Sequence, residues 1–242
     1  MSWMDRPLRK FSEKEQDTWR MLYERQTPLR SQQIHPLFER GLDLLGFSPN
    51  QIPDLEETNQ KLSRLTGFRG VVVDGLEGHE GFYTLLSQRQ FPIGDFIRDQ
   101  QDLNYTPAPD VFHDLYGHIP FYTDPLYADA CQDIGQRVLK YRGQSKIIQQ
   151  WERFFWFTFE FALIRRPEGL RIFGAGIASS YGECAYALDP IHGPEKVPFD
   201  IEAIRNQEFR IDQMQKKLFV LDSEAQLYSS MDSFERGLNK ER

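Results

Sequence analysis

The chain has 242 residues, enough for a full hydrophobic core in one domain or at most two. A formal net charge of −7 argues against nucleic acid or an anionic membrane surface as the main partner. Two cysteines, Cys131 and Cys184, are too few for a disulfide scaffold, and no apolar run reaches the length of a bilayer span, so a reducing cytoplasm is the expected address.

From the N-terminus, "MSWMDRPLRKFSEKEQ" lacks the apolar core of a signal peptide. "FSEKEQDTWRMLYERQ" opens with Ser12 and Glu15, a capping-box pattern, and continues with Trp19, Leu22 and Tyr23 at helical spacing. "HPLFERGLDLLGF" predicts a second helix, stopped by Gly46. "FRGVVVDG", residues 68–75, predicts a short strand ended by a turn. Helical patterns then dominate, at about 80–89, 110–117, 125–141, 147–164 and 177–188. "KKLFVLDS" predicts a strand, and 223–238 a last helix with Leu227, Met231, Phe234 and Leu238 on one face. There is no repeat, low-complexity tract or Gly/Ser linker. The expected class is mostly α with a few short β-strands, as a single domain over 1–242.

The stretch "PDVFHDLYGHIP" places His113 and His118 five apart. On a straight α-helix, neighbours on one face are three or four apart, and an offset of five turns away by roughly 140°. Gly117 permits the helix to end or distort, and Pro120 cannot continue it, so the helix end could swing both imidazoles toward one point. Asp110 is a candidate outer acceptor for a ring N–H, or an N-cap of the short helix; the two roles are compatible. The pattern is not the HExxH of zinc proteases, because Asp114 follows the first histidine and the spacing is wrong.

A third donor lies in "WERFFWFTFEFALI", where Glu160 sits among five phenylalanines and Trp156. A helix apolar nearly all round is mostly buried, and a buried carboxylate needs a partner or loses its charge. Coordination to a divalent cation would supply one. A salt bridge to Arg98, Arg165 or Arg166 would serve equally on this reading. Two histidines and one carboxylate with open positions form the facial triad of non-haem Fe(II) oxygenases.

Several stretches together, "TGFRG" (66–70), "QFPIGDFIR" (90–98), "YTPAPDVFHDLYGHIP" (105–120), "FWFTFEF" (155–161) and "FGAGIASSYGE" (173–183), carry a resemblance. The chain resembles the pterin-dependent aromatic amino acid hydroxylases, and among them the short bacterial phenylalanine 4-monooxygenases. The match runs from about residue 60 to 190 almost without gaps, and more loosely to the end.

The resemblance implies a single-domain catalytic fold and an iron site on His113, His118 and Glu160. It implies Arg98 as partner of the substrate carboxylate, with Thr106, Pro109, Trp156 and Ser179 lining the amino acid pocket. It places Phe82 against the pterin ring, and Gly75 in the loop whose backbone meets the pterin. Asp114 stands where animal members carry glutamate, which leaves a water-bridged pterin contact open. Read without the resemblance, Phe82 and Trp156 would be core, Arg98 surface, and Ser179 a helix-cap residue. Glu77, in the acidic loop "VDGLEGHEG" (73–81), occupies a position that is apolar in animal enzymes.

The activity so implied is an oxidoreductase, a monooxygenase of aromatic amino acid metabolism. It would use Fe(II), a tetrahydropterin (tetrahydrobiopterin or a related bacterial pterin) and O2 to hydroxylate L-phenylalanine to L-tyrosine. Tryptophan or tyrosine is the alternative substrate. A zinc-dependent hydrolase and a non-catalytic pterin or amino acid sensor are the remote alternatives. No regulatory domain and no coiled-coil tetramerisation tail are expected, hence a monomer, with neither nucleic acid nor membrane as partner.

Overall fold

The structure, a computed structural model, describes residues 6–75, 78–104 and 108–238. Helix α1 (Glu13–Gln33) starts at a closed capping box: Glu15 N–H donates to Ser12 Oγ, and the Ser12 N–H donates back to the Glu15 carboxylate. Helix α2 (Pro36–Leu45) is capped by His35 Nδ1 and ends on Gly46 at φ +72°, a left-handed conformation that glycine adopts without strain. Helix α3 (Leu55–Thr66) has no counterpart in the sequence reading; only Leu55, Thr58 and Leu62 are buried along its twelve residues, so its apolar stripe is thin.

Strands β1 (Arg69–Val72) and β2 (Gln90–Ile93) pair in parallel across α4 (His79–Ser87). Pro92 hid β2 from the strand pattern; a two-stranded sheet has only edges, where proline is tolerated. Helices α5 (Pro125–Leu139) and α6 (Ser145–Phe155) follow, then β3 (Ala162–Arg166) and β4 (Gly169–Ile172). A short α7 (Ala175–Ala178), α8 (Tyr181–Leu188), β5 (Glu195–Pro198), α9 (Ile201–Asn206), β6 (Lys217–Leu221) and α10 (Glu224–Leu238) complete the chain. The second sheet runs β4-β3-β6-β5, with β3 antiparallel to β4 and parallel to β6. Mostly helical with short strands, the fold is of the expected class.

Two predicted helices are corrected. The pattern at 147–164 runs as α-helix only to Phe155; it widens over Trp156–Glu160 and becomes strand β3 at Ala162. An unbroken apolar run satisfies a buried helix and a buried strand alike, so periodicity could not mark the switch. The segment predicted helical at 110–117 is a wide π-turn over Phe112–His118.

The core is aromatic and closes around that turn. Phe112 and Tyr116 stack at 4.5 Å, Trp19 meets Phe112 edge-on at 5.1 Å, and Phe38 meets Tyr116 at 5.2 Å. The turn is therefore held from behind by α1 and α2. Cys131 and Cys184 are both buried and unpaired with each other. Among the described residues no helix is long and apolar enough to cross a membrane.

Candidate metal centre and its two cavities

The five-residue spacing has a structural answer. In a π-turn the backbone bonds run from residue i to i+5, as Ile119 N–H to Asp114 O does at 3.2 Å, so residues five apart stand on successive turns. His113 and His118 accordingly point to one place, their Nε2 atoms 3.1 Å apart. Glu160 arrives from a second turn of the same kind, closed by Phe161 N–H to Trp156 O at 2.8 Å. Its Oε1 lies 2.9 Å from His118 Nε2. One ligand atom from each of the three residues falls within 4.8 Å of the others.

The salt-bridge alternative for Glu160 fails, because every candidate arginine is engaged elsewhere. Arg98 pairs with Asp110, Arg165 with Asp222 and Arg166 with Glu224. Burial raises the Glu160 carboxyl, but His118, His113 and the Gly176 N–H more than offset it, leaving it below the ordinary carboxylate range. Burial, aided by His118, lowers His113 to about 4, so its ring is neutral at physiological pH. An ionised carboxylate and two imidazoles, converging with lone pairs available, are a donor set suited to ferrous iron.

Glycines permit the close packing behind these donors. A Cβ on Gly117 would lie 2.8 Å from Ser179 Cβ, and one on Gly176 would lie 2.9 Å from Glu160 Oε2. Gly117 thus serves close approach within a distorted turn that continues past it to His118.

Asp110 corrects an expectation. It accepts no histidine ring N–H. Its Oδ1 takes the backbone N–H of His113 (3.0 Å) and Nη2 of Arg98 (2.8 Å), and its Oδ2 takes N and Nε of Arg98 (2.9 and 2.8 Å). The arginine fork saturates the carboxylate, leaving it only the turn-capping role. The ring partner of His113 is instead Ser179, whose Oγ is 3.0 Å from Nδ1.

Two cavities meet at the donor set. The first, about 240 Å³, brings together Arg98, Pro109, Trp156 and Ser179 with His113 and Glu160. Trp156 is sandwiched between Phe161 and Phe209, at 4.5 and 4.4 Å. Thr106, expected in the same pocket, lies outside the described residues, as does Glu77 in the acidic loop. The second cavity, about 170 Å³, brings together Gly75, Phe82 and Asp114 with His113, His118 and Glu160. There Asp114 Oδ2 accepts the Gly94 N–H at 2.8 Å, and burial lifts its carboxyl well above the ordinary range. Phe91, on the wall of this cavity, stacks on the His118 ring at 4.4 Å.

Sequence reasoning missed part of the first cavity. Ile211, Gln213 and Gln215 line it from the loop before β6, and Glu183 from the first turn of α8. The loop residues carry no motif. Glu183 was inside a quoted stretch, but Ser180-x-x-Glu183 reads as an ordinary capping box.

Comparison with known proteins agrees with this geometry. The family model for biopterin-dependent aromatic amino acid hydroxylases matches residues 5–242. A phenylalanine-4-hydroxylase of Caulobacter vibrioides is 40% identical over 220 residues, covering 91% of this chain and 74% of the relative. A Chromobacterium violaceum phenylalanine hydroxylase structure with bound iron(III) and oxidised 7,8-dihydrobiopterin matches at a TM-score of 0.91 and 36% identity, covering 98% of this chain and 87% of the other. The iron- and phenylalanine-bound structure from the same organism matches at 0.86 and 36%, covering 95% and 84%.

Proposed function

The chain belongs to the biopterin-dependent aromatic amino acid hydroxylases, and on that premise we propose that it converts L-phenylalanine to L-tyrosine, using O2, a tetrahydropterin and ferrous iron. One observation carries the reading. Two cavities meet at the donor set, one lined by His113 and Glu160 and the other by all three donors, so two organic molecules can flank one metal ion.

His113, His118 and Glu160 would hold the iron. Iron bound there would supply, with the reduced pterin, the chemistry that activates O2 for transfer of one oxygen atom to the aromatic ring. The protein's part is placement and exclusion of water. Arg98, pinned by Asp110 through Nε and Nη2, keeps N–H donors for the substrate carboxylate, and a guanidinium so fixed sets where the ring lies. Pro109 and Trp156 give the ring an apolar wall. In the second cavity Phe82 offers a face for the pterin ring, Gly75 its backbone, and Asp114 a buried carboxyl already oriented by the Gly94 N–H. The chain acts as one catalytic unit, as a monomer in the cytoplasm; sedimentation equilibrium would test the monomer.

The test is anaerobic reconstitution with Fe(II), then admission of air with L-phenylalanine and a tetrahydropterin, with products followed by mass spectrometry. Tyrosine is expected only when iron and pterin are both present. Faster turnover of tryptophan or tyrosine than of phenylalanine would change the substrate and keep the site. Neither the hydrolase nor the sensor alternative draws support from the family match.

A further inference from the structure

The chain carries two Ser-x-x-Glu sequences at helix starts, and they close differently. At α1 both halves of the box are made. At α8 only the first is: Glu183 N–H donates to Ser180 Oγ at 3.3 Å, while the Ser180 N–H goes to Ile177 O at 3.0 Å. The Glu183 carboxylate is thereby left out of the cap. It lines the first cavity, and the residue is only 4% exposed. Its side chain makes no hydrogen bond or ion pair with the described residues, and burial is the one cause that lifts its carboxyl, to about 7. Glu15, in the closed box, is instead held down to about 2, first by Arg9 and then by the cap.

A buried carboxylate facing a cavity, with a local cap it does not use, is costly unless something positive fills the space. The cavity's own cation is no remedy, since Arg98 is committed to Asp110. An α-amino acid is a zwitterion, with ammonium and carboxylate on one carbon, so a site that recognises both ends needs an anion as well as Arg98.

We propose that Glu183 binds the α-ammonium group of the substrate in the cavity whose Arg98 takes the carboxylate. This rests on the aromatic amino acid reading above. It makes Glu183 a specificity-determining residue, rejecting aromatic acids that lack the amine. The amine stays a spectator, so Glu183 touches substrate without taking part in oxygen transfer.

The test compares anaerobic, iron-loaded wild type and Glu183→Gln by calorimetry with two ligands, L-phenylalanine and 3-phenylpropanoate, which keeps the ring and carboxylate and lacks the amine. Removing a charged hydrogen bond is expected to weaken phenylalanine binding about 10- to 100-fold. The affinity for 3-phenylpropanoate should stay the same or rise, so discrimination collapses. In turnover the loss should fall on KM, and Glu183→Asp should recover part of it. Equal weakening for both ligands would mean a structural role and overturn the proposal, as would unchanged phenylalanine affinity. Wild type that binds 3-phenylpropanoate as tightly as phenylalanine would also overturn it, while leaving the ring-and-carboxylate site intact. Wild type that neither binds nor hydroxylates any aromatic amino acid would overturn the parent reading, and this inference with it.

Discussion

Ser179 Oγ lies 3.0 Å from Nδ1 of His113, bridging 66 residues of chain, and the same hydroxyl donates to Gly176 O at 3.2 Å. With its proton spent on a carbonyl, Oγ must accept at Nδ1, so His113 carries its proton there and presents a lone pair at Nε2. One serine thus fixes both the tautomer and the orientation of a candidate ligand. His118 has no such partner at Nδ1 among the described residues, and stacking on Phe91 holds its ring instead.

Ser179→Ala should therefore loosen the metal before it affects anything else. Loss of a partner behind a ligating histidine typically costs 10- to 100-fold in metal affinity. Competition of the variant against a chelator of known strength, with Fe(II) or Co(II), reads this directly. Unchanged metal affinity with weaker phenylalanine binding would make Ser179 a pocket-lining residue only.

Glu160→Ala should abolish stoichiometric iron binding and leave the apo fold intact, because it removes a buried carboxylate that no arginine neutralises. Iron content after reconstitution and the thermal midpoint of the apo protein check the two halves of that statement. Normal iron in this variant would remove Glu160 from the donor set.

The Arg98–Asp110 pair separates anchoring from stability. Its side chains are 3% and 0% exposed, so Arg98→Ala strands a buried carboxylate and should cost about 3–5 kcal/mol by urea unfolding. Replacing both, Arg98→Met with Asp110→Leu, should recover much of that stability. Substrate binding should be lost in both proteins. A double variant that binds phenylalanine normally would move the carboxylate anchor elsewhere.

These residues also show how far the sequence could be read. His113, His118 and Glu160 stood out because two histidines at an off-face spacing and an acid in an apolar run are each awkward alone and sensible together. What stayed hidden was the device that joins them. Whether a turn bonds at i+4 or i+5 depends on packing from other elements, here Trp19 and Phe38 behind Phe112 and Tyr116, which no local pattern encodes. Of the two roles open to Asp110, only the capping one holds, for a similar reason. Its fork with Arg98 spans a loop whose path the spacing does not give, and three residues' distance from His113 suited a cap and a ring contact equally. Glu183 was invisible because an open capping box and a closed one share a sequence.

Gly117→Ala is the smallest change expected to disturb the centre. The added methyl would sit 2.8 Å from Ser179 Cβ and 3.0 Å from Ala175 O, and backbone cannot yield as a flexible side chain does. Overpacking of this kind costs about 1–3 kcal/mol. Urea unfolding of the apo protein gives the stability term, and metal titration should show weaker binding as Ser179 is pushed from His113. Stability within error of wild type would mean that the α7 segment shifts freely.

Glu183 predicts a pH dependence whose sign opposes that of a salt-bridged acid. Its carboxyl is raised from 4.5 to about 7 in the folded protein, with burial as the cause. Between those values the folded state holds the proton more tightly than the unfolded state. Stability from this group is therefore fully present below about pH 4.5 and is lost as pH rises through about 7. The full swing is on the order of 3 kcal/mol. Glu183→Gln cannot ionise, so the difference in unfolding free energy between wild type and variant should turn against wild type as pH goes from 5 to 8, measured on apo protein in urea at each pH. Saturating phenylalanine should reverse the trend in the iron-loaded, anaerobic wild type, since an ammonium partner favours the ionised carboxylate. A difference that stays flat across this range would mean that Glu183 titrates as an ordinary exposed acid.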